Sequence, residues 1–137
     1  MAVSDTLLIT SELARIGDAR RWATGHAARA GLSQDDLWAV ELALGEALAN
    51  VIRHAYGGRT DEEIRIALTI DAERLVIEIR DSAPPFAREA VPVPAQTLDS
   101  VGTGGYGLQL IDELMDDVLY TAAGNGGLLR MVKLRNA

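Results

Sequence analysis

Between residues 64 and 81 apolar and charged positions alternate along the chain. IRIALTI sets Ile64, Ile66 and Leu68 against charged neighbours, LVIEIRD does the same with Val76 and Ile79, and the short DAER lies between them. A period of two buries one face of a strand, so the pair predicts an antiparallel hairpin. A longer period governs the first half of the chain. After a β-like run, TLLIT, the segment SELARIGDARRWATGHAARAG places Leu13, Ile16, Ala19, Ala23 and Ala27 at helical spacing, and Gly31 suits a C-terminal cap. The next segment, LSQDDLWAVELALGEALANVIRHAYGG, predicts the longest helix. Ser33 followed by Asp36 resembles a capping box at its start, and Gly57 and Gly58 stop it.

Beyond the hairpin, APPFAREAVPVPAQTLDSV is rich in proline, which removes backbone donors and predicts a loop or flap rather than a strand. GTGGYG then leads into a third helix, LQLIDELMDD. VLYTAA, a GNGG turn and LLRMVKL form a second hairpin. The order is βα, α, ββ, loop, α, ββ. It predicts an α/β (α+β) two-layer sandwich, a mostly antiparallel sheet with helices on one face, built as a single domain over residues 1–137.

Composition narrows the function. The 137 residues include no cysteine, which excludes disulfides, thiolate nucleophiles and Cys-based metal sites. No apolar run approaches the roughly 20 residues of a membrane span, and the N-terminus has no signal-peptide pattern, so neither insertion nor export is expected. A net charge of −7 opposes binding to a phosphate backbone, and nucleic acid is not an expected direct partner.

Three stretches carry candidate chemistry. On the long helix, Leu37, Val40, Leu44, Leu48, Val51 and Ala55 form the predicted core stripe. Glu46, Asn50 and Arg53 fall roughly opposite it, with His54 at its edge. Asparagine is a poor helix residue, so Asn50 needs a reason. A solvated helix face is one reading. Trp38 and Leu42, however, form a second apolar flank and predict that the helix is covered on more than one side, leaving the polar wedge to line a cleft. There the Asn50 amide oxygen is a hard ligand for Mg²⁺, and the Glu46 carboxylate can accept a proton or orient a water. Asp81, in DSAPPF, ends an apolar strand. It is either a turn-starting residue or an acceptor suited to an exocyclic amine such as that of adenine. GTGGYGL fits G-x-G-x-x-G without the strand and acidic residue of a dinucleotide fold, and it is no Walker A loop. Its glycines allow close backbone approach, and the helix N-terminus after them offers N–H groups to phosphate; a flap hinge is the alternative.

In this order, E-x-x-x-N-x-x-x-H-A-Y, D-x-A-P-P-F and G-G-Y-G-L resemble the N, G1 and G2 boxes of the GHKL ATPase superfamily. Within it the chain is similar to the small anti-sigma-factor serine/threonine kinases of the RsbW and SpoIIAB type. The resemblance extends over nearly the whole chain, ARRW and MDDV included. It implies a Bergerat ATP-binding fold that takes ATP with Mg²⁺ under a mobile lid, here about residues 84–101. Asn50 would hold Mg²⁺, and Glu46 would be the base that accepts the proton of an attacking serine. Asp81 would read the adenine amine beside Ala83. Gly102, Gly104, Gly105, Tyr106, Gly107 and Leu108 would form the phosphate segment, with Gly104, Gly105 and Gly107 cradling phosphate. Two features depart from the family: Ala83 stands where Gly is common, and Leu128 and Leu129 stand where a Gly-Thr pair often supplies a hydroxyl to the Asp. His54 is expected to make a structural hydrogen bond, and no role falls to His26.

The implied function is that of a cytoplasmic, homodimeric serine kinase. It would sequester a sigma factor and switch partners on phosphorylating an anti-anti-sigma protein of the STAS type. A non-catalytic module, in which nucleotide gates protein binding, is the alternative; the retained Glu46 favours the enzyme, because binding alone needs no base. A detached histidine-kinase catalytic domain ranks below both, since no dimerisation helices with a phosphoacceptor His precede the first strand.

Overall fold

The computed structural model describes residues 2–82, 105–123 and 126–136. In chain order the elements are β1 (Val3–Thr10), α1 (Arg15–Arg29), α2 (Gln34–Asn50), a π turn (Val51–Ala55), β2 (Glu63–Ile70), β3 (Arg74–Asp81), α3 (Gly105–Leu114), β4 (Asp117–Ala123) and β5 (Gly126–Leu134). The strands form one sheet in the order β1-β2-β3-β5-β4, and every neighbouring pair is antiparallel.

Alternation explains which side of the sheet is covered. Ile64, Ile66, Leu68 and Ile70 of β2 are buried, as are Leu75, Ile77 and Ile79 of β3 and Leu129 and Met131 of β5. They share one core with Ala19, Ala23 and Ala27 of α1, Val40, Leu44 and Leu48 of α2, and Ile111 of α3. Alanines on the buried stripe of α1 let that helix approach closely, and removing a fully buried leucine such as Leu44 would cost about 2–5 kcal/mol. Among the described residues the other face of the sheet is bare, with Leu8, Arg65, Arg80 and Leu119 exposed. Helices on one face of an antiparallel sheet is the architecture expected from the sequence.

Several local expectations differ from what is seen. Val76 points to the bare face and is half-buried; Leu75, Ile77 and Ile79 are the inward residues of β3. β1 starts three residues early, because Val3, Ser4 and Asp5 gain backbone pairing with Ile70, Thr69 and Leu68, which needs no apolar side chain. α1 starts only at Arg15, and Leu13 before it is exposed. Ser11 does not open that helix: its hydroxyl donates to the Arg59 carbonyl and accepts from the Glu62 N–H, tying the end of β1 to the approach to β2. Half of the expected capping box forms. The Ser33 hydroxyl accepts from the Asp36 N–H at 3.1 Å, but the Asp36 carboxylate accepts instead from the Asn136 N–H at 2.9 Å. Trp38 is 61% exposed, so nothing in the described chain covers that flank of α2.

The end of the long helix also departs from the plain α pattern. After Asn50 the backbone widens to a π turn, closed by Tyr56 N–H to the Val51 carbonyl at 2.9 Å. Gly58 N–H then reaches back to Ile52 at 2.8 Å, while Gly57 and Gly58 adopt positive φ of 60° and 84°, a conformation that stops the helix at little steric cost only for glycine. α3 begins at Gly105, three residues before the expected start.

Candidate functional site: a polar wedge, a buried aspartate and a tyrosine joint

The buried stripe of α2 runs through Ala39, Val40, Ala43, Leu44, Ala47 and Leu48. Glu46 and Asn50 lie off it, one turn apart and half-buried. Among the described residues the Glu46 carboxylate has no hydrogen-bond or ion-pair partner. Asn50 is the more informative of the two: its amide nitrogen is buried with no partner. Leaving a buried amide group unsatisfied costs about 1–3 kcal/mol, and native structures keep few such groups. A half-turn of the amide would put its oxygen in the same place, since the two ends have the same shape. The π turn starts immediately after Asn50, and π turns inside helices are frequent at functional sites.

Asp81 occupies the inward face at the end of β3, in line with Ile77 and Ile79, and is only 8% exposed. Its register partners are Ile64 on β2 and Gly127 on β5. Where the neighbouring row has Leu129 opposite Ile79, the Asp81 row has a residue without a side chain. Gly127 thus leaves no side chain opposite this carboxylate. Gly126 is equally constrained, because a Cβ there would lie 2.0 Å from the Asp81 carbonyl oxygen.

Tyr56 joins the two parts of the site. It is 1% exposed; its hydroxyl donates to the Glu63 carbonyl at 2.6 Å and accepts from the Ser82 N–H at 2.7 Å. The residue that closes the π turn after Asn50 is thus bonded to the residue that follows Asp81. This draws the C-terminal end of the long helix and the end of β3 together. Burial pushes the Tyr56 phenol above its usual pKa, and the Asp81 carboxylate adds in the same direction against the opposing Ser82 N–H. The phenol stays protonated and keeps its donor role. Nothing in the sequence reading assigned Tyr56 a part, although a tyrosine directly before a Gly-Gly helix stop was a signal that its hydroxyl could reach across the chain.

Gly105, Tyr106, Gly107 and Leu108 form the first turn of α3 rather than a loop before it, so the free N–H groups of a helix start are supplied by the glycine run itself. Ala83, Gly102, Gly104 and the lid segment 84–101 lie outside the described residues. His54 makes no hydrogen bond among the described residues, contrary to expectation. His26 does have surroundings: its Nε2 is 2.8 Å from Asp5 Oδ2, which also accepts from Trp22 Nε1 at 3.0 Å, and its ring meets Trp22 edge-on at 5.6 Å. That cluster fastens α1 to β1.

Comparison with known proteins identifies a family for the chain. The model of the histidine kinase-like ATPase domain matches residues 9–133. The serine-protein kinase RsbW of Bacillus velezensis is 29% identical over 134 residues, 93% of this chain and 83% of its own. That of Oceanobacillus iheyensis is 33% identical over 109 residues, 75% of this chain and 69% of its own. Among solved structures, the RsbU and RsbW domains of Rv1364c from Mycobacterium tuberculosis superpose with a TM-score of 0.71 at 14% identity; the match covers 98% of this chain and 33% of that longer one. No helix among the described residues is long and apolar enough to cross a membrane. A five-stranded antiparallel sheet backed by helices and a family match over nearly the whole length together place this chain in the histidine kinase-like ATPase family, alongside the RsbW serine-protein kinases.

Proposed function

We propose that this protein is an ATP-dependent protein serine kinase and anti-sigma factor that phosphorylates an anti-anti-sigma partner of the STAS type in a bacterial partner-switching system. The observation that carries the reading is the wedge on α2: a buried Asn50 amide without a partner, one turn from a Glu46 carboxylate without a partner. A buried amide nitrogen left unsatisfied, one turn from a half-exposed carboxylate, is a cost to the apo fold that a ligand would remove.

In this reading Asp81 accepts a hydrogen bond from the adenine amine beside Gly127, and the first turn of α3 donates N–H groups to phosphate. Asn50 would hold Mg²⁺, which supplies charge neutralisation on the phosphate oxygens. The Asn50 amide oxygen is a hard ligand of the type that ion prefers. Glu46 accepts the proton of the partner's serine as its oxygen bonds to the γ-phosphorus; the bond from that phosphorus to the bridging oxygen breaks, and ADP departs with its electron pair. Tyr56 holds Asp81 and the Asn50 helix in one frame. The functional form is a cytoplasmic homodimer.

Incubation with radiolabelled ATP and candidate partner proteins tests the reading. Label on a partner serine supports it. Label on a histidine, or a partner that binds in a nucleotide-dependent way without acquiring label, overturns it in favour of a histidine kinase or a gated binding module.

A further inference from the structure

On the bare face of the sheet, the register of β2 and β3 sets Arg65 directly against Arg80. Like charges opposite one another on neighbouring strands repel. Neither guanidinium has a hydrogen-bond or ion-pair partner among the described residues. One row further along the same face, Arg130 is treated differently: Glu78 lies 3.8 Å from it. The Arg65–Arg80 row continues through Leu128 of β5 and Thr121 of β4. Here the surface sinks into a depression of about 360 Å³, lined by both arginines with Glu63, Asp81, Ser82, Thr121, Gly126, Gly127 and Leu128. Two adjacent cations left unpaired run against the composition of a chain whose net charge is −7.

We propose that this depression is an oxyanion site for a small dianion such as inorganic phosphate. Two guanidinium groups present planar forks of donors that match phosphate oxygens, and the hydroxyls of Ser82 and Thr121 lie on the same lining. Leu128 gives the floor a low-dielectric patch, against which the ionic contacts are less screened than in open water. Two acidic residues border the depression: Glu63 carries its carboxylate on this face, whereas the alternation of β3 turns the Asp81 side chain to the inward face. One negative charge against two positive ones leaves the site cationic, so a dianion is held better than a monoanion. Asp81 and Gly127 border this depression as well as the proposed adenine pocket, so the two adjoin at the end of the sheet; the arginine pair lies on the outward face and the Asp81 side chain, by the alternation of β3, on the inward one, so the arginine variants test this site alone.

The test titrates inorganic phosphate into the full chain at constant ionic strength, read by backbone amide shifts and by the thermal midpoint. Three proteins are compared: wild type, Arg80→Ala and Arg65→Glu. Phosphate should shift the amides of Arg65, Arg80, Thr121 and Leu128 in the wild type and raise its midpoint. Arg80→Ala should weaken the affinity by about tenfold or more, in line with the loss of one charge-assisted fork. Arg65→Glu should abolish the response, yet its midpoint without phosphate should equal or exceed that of the wild type, because a cross-strand ion pair replaces the repulsion. That second variant shows that loss of binding is not loss of fold. The proposal is overturned if all three proteins respond alike, if the shifts are confined to Gly105–Leu108, or if they spread concentration-dependently across Leu8 and Leu119 as self-association would require.

Discussion

Replacing Tyr56 by phenylalanine isolates the joint between the long helix and the end of β3. The ring is fully buried and would remain so, which leaves the core volume unchanged; only the hydroxyl and its two bonds, 2.6 Å to the Glu63 carbonyl and 2.7 Å from the Ser82 N–H, are removed. Each such bond contributes about 1 kcal/mol net, and both partners are backbone groups that lose their mate, so Tyr56→Phe should destabilise by about 2 kcal/mol. For a chain of this size that is a fall of roughly 6–10 °C in the thermal midpoint. Asp81 adjoins Ser82, so its position loosens as well, and ADP affinity should fall several-fold. Differential scanning calorimetry of the apo protein and calorimetric titration of MgADP read the two effects. A midpoint within about 1 °C of wild type would refute the reasoning, because it would mean that water satisfies both backbone groups as well as the hydroxyl does.

Three further substitutions probe other links. Asn50→Ala removes a buried amide that already lacks a partner, so the apo midpoint should hold or rise while Mg²⁺-dependent nucleotide binding is lost; a severe fall in the apo midpoint would make Asn50 structural. Asp81→Asn places a donor where an acceptor is wanted and should erase the preference of ATP over GTP, measured by competition, whereas a wild type that binds both equally would contradict the assignment of Asp81. Asp5 is held below its ordinary carboxyl value of 3.8 by the Trp22 indole N–H first, then His26, then the Thr6 N–H. A depressed folded pKa means that this stabilisation is full above 3.8 and is lost as pH falls through the lower folded value. Asp5→Asn should therefore lower the midpoint at neutral pH, with the gap to wild type closing as pH falls below 3.8.

Where burial follows the side-chain period, the sequence alone was sufficient: Ile64, Ile66 and Leu68 on β2 and Leu44 and Leu48 on α2 lie on the faces their spacing dictates. Glu46 and Asn50 were legible for the converse reason, as polar groups recurring off an apolar stripe. What escaped was set by the backbone or by distant partners. Val3–Asp5 are strand because a neighbouring strand pairs with them, although their side chains are largely polar and exposed. The π turn changes one hydrogen-bond register and leaves no mark in residue type. Trp38 reads as part of a covered apolar flank, yet it stands in solvent. Tyr56 and His26 acquire their partners from residues 26 positions ahead and 21 positions behind, beyond the reach of any local pattern.

Glu46→Gln is the substitution that separates transfer from recognition. The amide keeps the shape of the side chain but cannot take a proton, so ATP affinity and partner binding should stay close to wild type while the rate of partner-serine phosphorylation falls by roughly two orders of magnitude or more. Single-turnover transfer of label from ATP to the partner, measured beside equilibrium nucleotide binding on the same samples, gives both quantities. Phosphorylation by Glu46→Gln at the wild-type rate would contradict the kinase chemistry assigned to this helix.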